Sequence, residues 1–124
     1  CVGSNGTQPS LSYSGSSQRG GPGFTTHLNA APLSANLAAL VWSFGLQAHP
    51  IDLSLLGAPG CTTHMFGDVL VVASVGGGSA SYTFVPPASV PACVMLWNQW
   101  FVIDASANTL GLTTSNPGRI VVGG

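Results

Sequence analysis

Asp68-Val-Leu-Val-Val-Ala-Ser-Val75, Gly76-Gly-Gly78 and Ser79-Ala-Ser-Tyr-Thr-Phe-Val85 follow one another without interruption. Two runs rich in β-branched and aromatic residues joined by three glycines are the sequence form of a hairpin, because glycine supplies the positive φ that a tight turn needs. Pro86 and Pro87 end the second run, since proline offers no N–H to a sheet.

Upstream, Leu37-Ala-Ala-Leu-Val-Trp-Ser-Phe-Gly-Leu46 suits a helix by its Ala and Leu and a buried strand by Val41, Trp42 and Phe44. Pro32 before it, with Gly45 and Pro50 after it, leaves little room for a helix, so a strand is expected. Phe24-Thr-Thr-His-Leu28 puts Phe24, Thr26 and Leu28 on one face at period two, again a strand. Downstream, Cys93 to Ile103 reads as a long aromatic strand and Gly118-Arg-Ile-Val-Val122 as the last one.

These segments, separated by Gly/Pro turns, predict an all-β fold: a two-sheet β-sandwich, Ig-like or jelly-roll-like, of about seven to nine strands. Residues 1–23, rich in Gly, Ser, Asn and Pro, form an extended N-terminal arm in which Leu11-Ser-Tyr13 can be a short edge strand. Residues 24–124 form the single sandwich domain. Ile51-Asp-Leu-Ser54 and Ile103-Asp-Ala-Ser106 echo each other and suggest two equivalent strand-exit loops.

Charge is almost missing. A chain of 124 residues ordinarily carries roughly 30 charged side chains, whereas this one has Arg19, Arg119, Asp52, Asp68 and Asp104 alone. Two isolated arginines cannot displace phosphate counterions, which argues against nucleic acid as a partner. Apolar runs fall short of the roughly 18 to 20 residues that span a bilayer, so no membrane span is expected. The chain starts at Cys1 among small polar residues rather than with a basic and then apolar leader, and is read as a mature or excised form.

Catalysis finds little support. The three aspartates lie 16 and 36 residues apart in different loops, where Asx turns are their expected role. The Gly-x-Ser-x-Gly signal of a nucleophilic serine is absent. His27, His49 and His64 share no close ligand spacing, and Cys61 with His64 gives two of the four ligands of a structural zinc site. No enzyme activity, metal or cofactor is expected. Trp97 and Trp100 are candidate stacking residues for a surface glycan, although their opposite parity sends them to opposite faces of a strand. Asn5-Gly-Thr7 is a candidate glycosylation acceptor.

Three cysteines leave one over if a single disulfide forms. Cys1 and Cys61 sit in turn-like surroundings where backbone can bend to bridge geometry, and Cys93 lies in an apolar run. The expected bridge is Cys1–Cys61 with Cys93 buried and free, a lipid-modified Cys1 being the alternative. A bridge implies an oxidising compartment, hence secretion.

The run Pro50-Ile-Asp-Leu-Ser-Leu-Leu-Gly-Ala-Pro-Gly-Cys61, with Leu110-Gly-Leu-Thr-Thr-Ser-Asn116 and Ile120-Val-Val-Gly123, resembles a β-rich C-terminal module of secreted planctomycete-type bacterial proteins. Cys1-Val-Gly-Ser4 loosely matches the opening of that module. The resemblance implies neither an activity nor a ligand. It maps the module's recurring cysteines onto Cys1 and Cys61, and puts Cys93 where an aliphatic residue is usual.

The function expected from these observations is an extracellular structural or adhesive subunit at the cell surface. It would polymerise with copies of itself into a filament or layer through apolar faces and strand edges, with strand addition by the arm as one route. The rival expectation is a monomeric module that binds carbohydrate or another surface polymer.

Overall fold

The structure, a computed structural model, describes residues 1–43, 46–65 and 69–123; for 46–50 and 64–65 it describes the backbone alone. Ten strands run in chain order among the described residues: β1 (Ser10–Gly15), β2 (Phe24–Asn29), β3 (Leu37–Ser43), β4 (Leu46–Asp52), β5 (Thr62–Met65), β6 (Val69–Ser74), β7 (Ala80–Phe84), β8 (Met95–Ile103), β9 (Leu112–Thr114) and β10 (Gly118–Val121). A single 3-10 turn, Leu53–Leu56, follows β4.

One sheet has the order β1-β2-β7 and the other β10-β8-β3-β6, with β9 continuing the β10 edge of β8. All their pairings are antiparallel. The ribbon β4-β5 stands apart from both sheets and covers part of the larger one, where Gln99 Nε2 donates to the Thr62 carbonyl. The expected all-β sandwich is therefore the fold, and β4, β5 and β9, none of them read as strands from the sequence, carry the count to ten.

Alternation drives the layering. In β2, Phe24, Thr26 and Leu28 face inward as their period predicts, and in β8 Leu96, Asn98, Trp100 and Val102 do the same. Leu40 and Trp42 of β3, Leu11 of β1 and Ile120 of β10 complete one core between the sheets. Phe24, Trp42 and Phe84 form its aromatic centre, with ring centroids 5.6 to 6.0 Å apart.

The stretch Asp68–Val85 departs from the expected hairpin in one respect; Asp68 itself lies outside the described residues. Gly76 and Ser79 do exchange both backbone hydrogen bonds, at 3.0 and 3.2 Å, across Gly77 and Gly78. Both central glycines have positive φ, +62° and +80°, as a type I′ turn requires. Beyond that bridge the strands part. β6 pairs with β3 in the larger sheet and β7 with β2 in the smaller. The divergence begins where the Asn36 carbonyl takes the Val75 N–H and the Gly78 carbonyl takes the Ala31 N–H, so each arm is captured by a different neighbour. The glycine turn thus links the two sheets.

The N-terminal residues join the sandwich. β1 is an edge strand on β2, Leu11 and Pro9 are buried, and the backbone of Gln18 bridges that of Gly123. The Ser4 N–H donates to Asp104 Oδ2 at 2.7 Å and the Leu11 N–H to Asn116 Oδ1 at 3.0 Å.

Candidate functional site

The two echoing loops come together at one end of the sandwich. Asp52 caps the 3-10 turn: its Oδ1 accepts the Ser54 hydroxyl at 2.6 Å and the Ser54 N–H at 2.9 Å. Those bonds, the hydroxyl's first, hold the Asp52 carboxyl below its usual range. Gly57 ends the turn at φ +99°, and a Cβ there would lie 2.9 Å from Thr109 Cβ. Its carbonyl accepts the Leu110 N–H from the second loop at 3.0 Å. Leu53 points inward against Ala58 and Cys61, while Leu55 and Leu56 point outward, 98% and 62% exposed.

Cys1 and Cys61 are disulfide-bonded with Cα atoms 4.6 Å apart, as expected. The bridge buttresses this turn, for Cys61 packs on Leu53 and its carbonyl accepts the Leu53 N–H at 2.9 Å. Burial lowers the pKa of the Cys1 amino group, which donates to the Thr114 carbonyl. Such a bridge accords with an oxidising compartment.

At the opposite end an apolar cleft of about 270 Å³ opens between the sheets. Trp42, Phe84, Leu96 and Val122 form its floor, Val69 and Val71 of β6 and Tyr82 of β7 its flanks. The loop that carries Pro86 and Val90 forms one wall, and Arg19 Nη1 ties it down by donating to the Val90 carbonyl at 3.1 Å. No charged residue is found among the described lining residues.

The outer faces of the two sheets differ in kind. On the larger sheet Leu70 pairs with Val41 and Val72 with Ala39, which in turn pairs with Phe101. Leu37, Leu70, Val72 and Ile103 are all exposed there. On the smaller sheet the outward residues are uncharged and polar: Ser14 Oγ bonds His27 Nε2 at 2.7 Å, Thr25 bonds Thr83 at 2.9 Å, and Asn29 Nδ2 donates to Ser12 Oγ at 3.0 Å.

The residues singled out from sequence fall as follows. Trp97 and Trp100 do face opposite ways: Trp100 is wholly buried and offers no face to a ligand, whereas Trp97 is half-buried beneath the Arg119 guanidinium, 5.7 Å from the ring centroid. Asn5 is exposed, with its Nδ2 donating to the Ala30 carbonyl at 3.3 Å. Cys93 corrects the expectation of a buried thiol, for it is free and exposed. It ends the turn before β8 at φ +68°, with its N–H on the Val122 carbonyl at 2.7 Å, and that left-handed conformation turns the side chain out of the core. Asp104 accepts a backbone N–H as expected, although from Ser4 of the arm rather than from its own loop. The side chains of His49 and His64 lie outside the described residues. Among the described residues no group of three metal-ligating side chains occurs, and no helix is long and apolar enough to cross a membrane.

The terminal cleft and the projecting leucines were missed in sequence. The only signal for the latter was the unbroken Leu53-Ser-Leu-Leu56 after a capping aspartate. Comparison with protein-family models, with curated proteins and with solved structures gives no match.

Proposed function

We propose that this chain is an extracellular structural or adhesive subunit that assembles with copies of itself into a filament or surface layer. The observation that carries this reading is the apolar outer face of the larger sheet, where Leu37, Leu70, Val72 and Ile103 stand in water with no charge among them. Contiguous apolar surface of that kind favours contact with another protein face. Edge strand β6 supports the same reading, because neither Lys nor any other charge in Val69–Ser74 discourages pairing with a neighbour. Strand addition by the arm is the less favoured route, since the disulfide, β1 and the Ser4–Asp104 bond already engage the arm within its own chain. The two sequence motifs keep kinship with the secreted bacterial module within this proposal.

Negative-stain microscopy of the purified chain tests it. Fibres or sheets at high concentration are expected, and a field of separate small particles at every concentration would refute the reading.

A second reading, a module that binds a neutral surface glycan, draws on the uncharged hydroxyl-lined face of the smaller sheet. It predicts glycan-array binding that Thr25→Val with Thr83→Val abolishes and that Trp97→Ala, on the outer face of the larger sheet, leaves unchanged.

A further inference from the structure

Three wholly buried side chains hold polar atoms that no described group satisfies: Thr26 Oγ1 of β2, with Asn98 Nδ2 and Trp100 Nε1 of β8. A buried polar group without a partner gives up its hydration for nothing, which is why the great majority find one. Strand register gathers these three. In the smaller sheet Thr26 pairs directly with Tyr13, and in the larger sheet Asn98 and Trp100 are successive inward residues. Tyr13 connects the two layers, since its hydroxyl crosses the core and donates to Asn98 Oδ1. Gly118, the β10 partner of Asn98, leaves the phenol its path, because a Cβ there would collide with the Tyr13 hydroxyl. That bond also orients the Asn98 amide: a donor occupies Oδ1, so the hydrogens of Nδ2 are left for another acceptor. Thr26 stands beside this crossing and is too short to span sheets packed about 10 Å apart.

We infer that a single internal water lies between the sheets, accepting from Asn98 Nδ2 and Trp100 Nε1 and donating to Thr26 Oγ1. It stands independently of the assembly proposal. The chemistry of the three groups selects the ligand. The amide nitrogen and the indole nitrogen only donate, so neither satisfies the other, and Thr26 Oγ1 is the one acceptor of the set. A water offers two acceptor positions and a donor, and buried waters typically make about three such bonds. Two N–H donors repel a metal cation. An anion could accept from all three groups, but both arginines are exposed, so no described cation in the core offsets the cost of dehydrating it. An apolar molecule would leave the three atoms unsatisfied. The water therefore completes a polar bridge from β2 through Asn98 to Tyr13 of β1, tying the two sheets together inside an otherwise apolar core.

A high-resolution crystal structure of the unaltered chain, grown in a bromide salt, tests the inference. The expected result is one density peak at about 2.7 to 3.2 Å from all three atoms, with no anomalous bromide signal there. A bromide signal at that position, or Thr26 bonded directly to Asn98 or Trp100 with no peak between them, would overturn it. NMR of the nitrogen-15-labelled chain gives a second readout in solution. The hydrogens on Asn98 Nδ2 and Trp100 Nε1 should both show cross-peaks at the water frequency, with the sign of a water held far longer than a surface one. Those cross-peaks should persist in Thr26→Val, which keeps both donors and removes the exchanging hydroxyl. Their loss in that variant would trace them to the Thr26 hydroxyl and contradict the inference, as would their absence from the unaltered chain. Should Thr26→Val fail to fold, the two measurements on the unaltered chain decide.

Discussion

Tyr13 carries its hydroxyl into the core, where it donates to Asn98 Oδ1. Burial raises its pKa far above the ordinary value of 10.0, and the bond to Asn98 offsets only part of that shift. The neutral phenol is the form the fold favours. Because the folded pKa lies above the unfolded one, the stabilisation is complete below pH 10 and is lost as pH climbs beyond it. Denaturant midpoints measured from pH 8 to pH 11.5 should fall steeply above about pH 10, and Tyr13→Phe should flatten that fall. At this scale the sequence was partly readable. Parity alone separated Trp97 from Trp100, since alternation in a strand is a local property. The exposure of Cys93 was not, because a left-handed φ depends on how the turn meets Val122, almost 30 residues away. Native protein should therefore react fully with one equivalent of maleimide, whereas a buried thiol would react only after denaturation.

Among elements, composition and period located the strands, while their partners depended on contacts far along the chain. The Asp68–Val85 stretch is the clearest case, for its turn chemistry is local and its pairing is not. β6 lies beside β3 and β7 beside β2 because Asn36 and Ala31 compete for the backbone on either side of the turn. Gly78 is needed twice over, at φ +80° and with a Cβ position 2.8 Å from the Ala31 carbonyl oxygen. Gly78→Ala should lose more than about 1 kcal/mol of stability, read as a lower denaturant midpoint with an unchanged m value. The disulfide also acts at this scale. It spans 60 residues of sequence, and for a loop of that length chain entropy assigns about 4 kcal/mol. Cys1→Ser with Cys61→Ser should lose stability of that order in equilibrium unfolding, and should loosen the 3-10 turn, as faster hydrogen exchange at Leu53 and Ala58 would report.

For the whole molecule, missing charge is what the sequence conveyed best, and the fold gives that absence a location. The smaller sheet presents hydroxyls and the larger sheet aliphatic side chains, with an apolar cleft at one end and paired leucines at the other. None of this arrangement was legible beforehand, because the residues of each surface come from strands and loops brought together only by folding. Charge placed on the exposed apolar face should oppose assembly without unfolding the chain. Leu70→Lys with Val72→Lys, at exposed positions, should shift unfolding by no more than about 0.5 kcal/mol per site while suppressing association. The most direct test of self-assembly is sedimentation velocity of the unaltered chain across a wide concentration range. Growth of the boundary into ever larger species as concentration rises is the predicted result, and a single boundary at the 12.5 kDa monomer throughout would contradict the account.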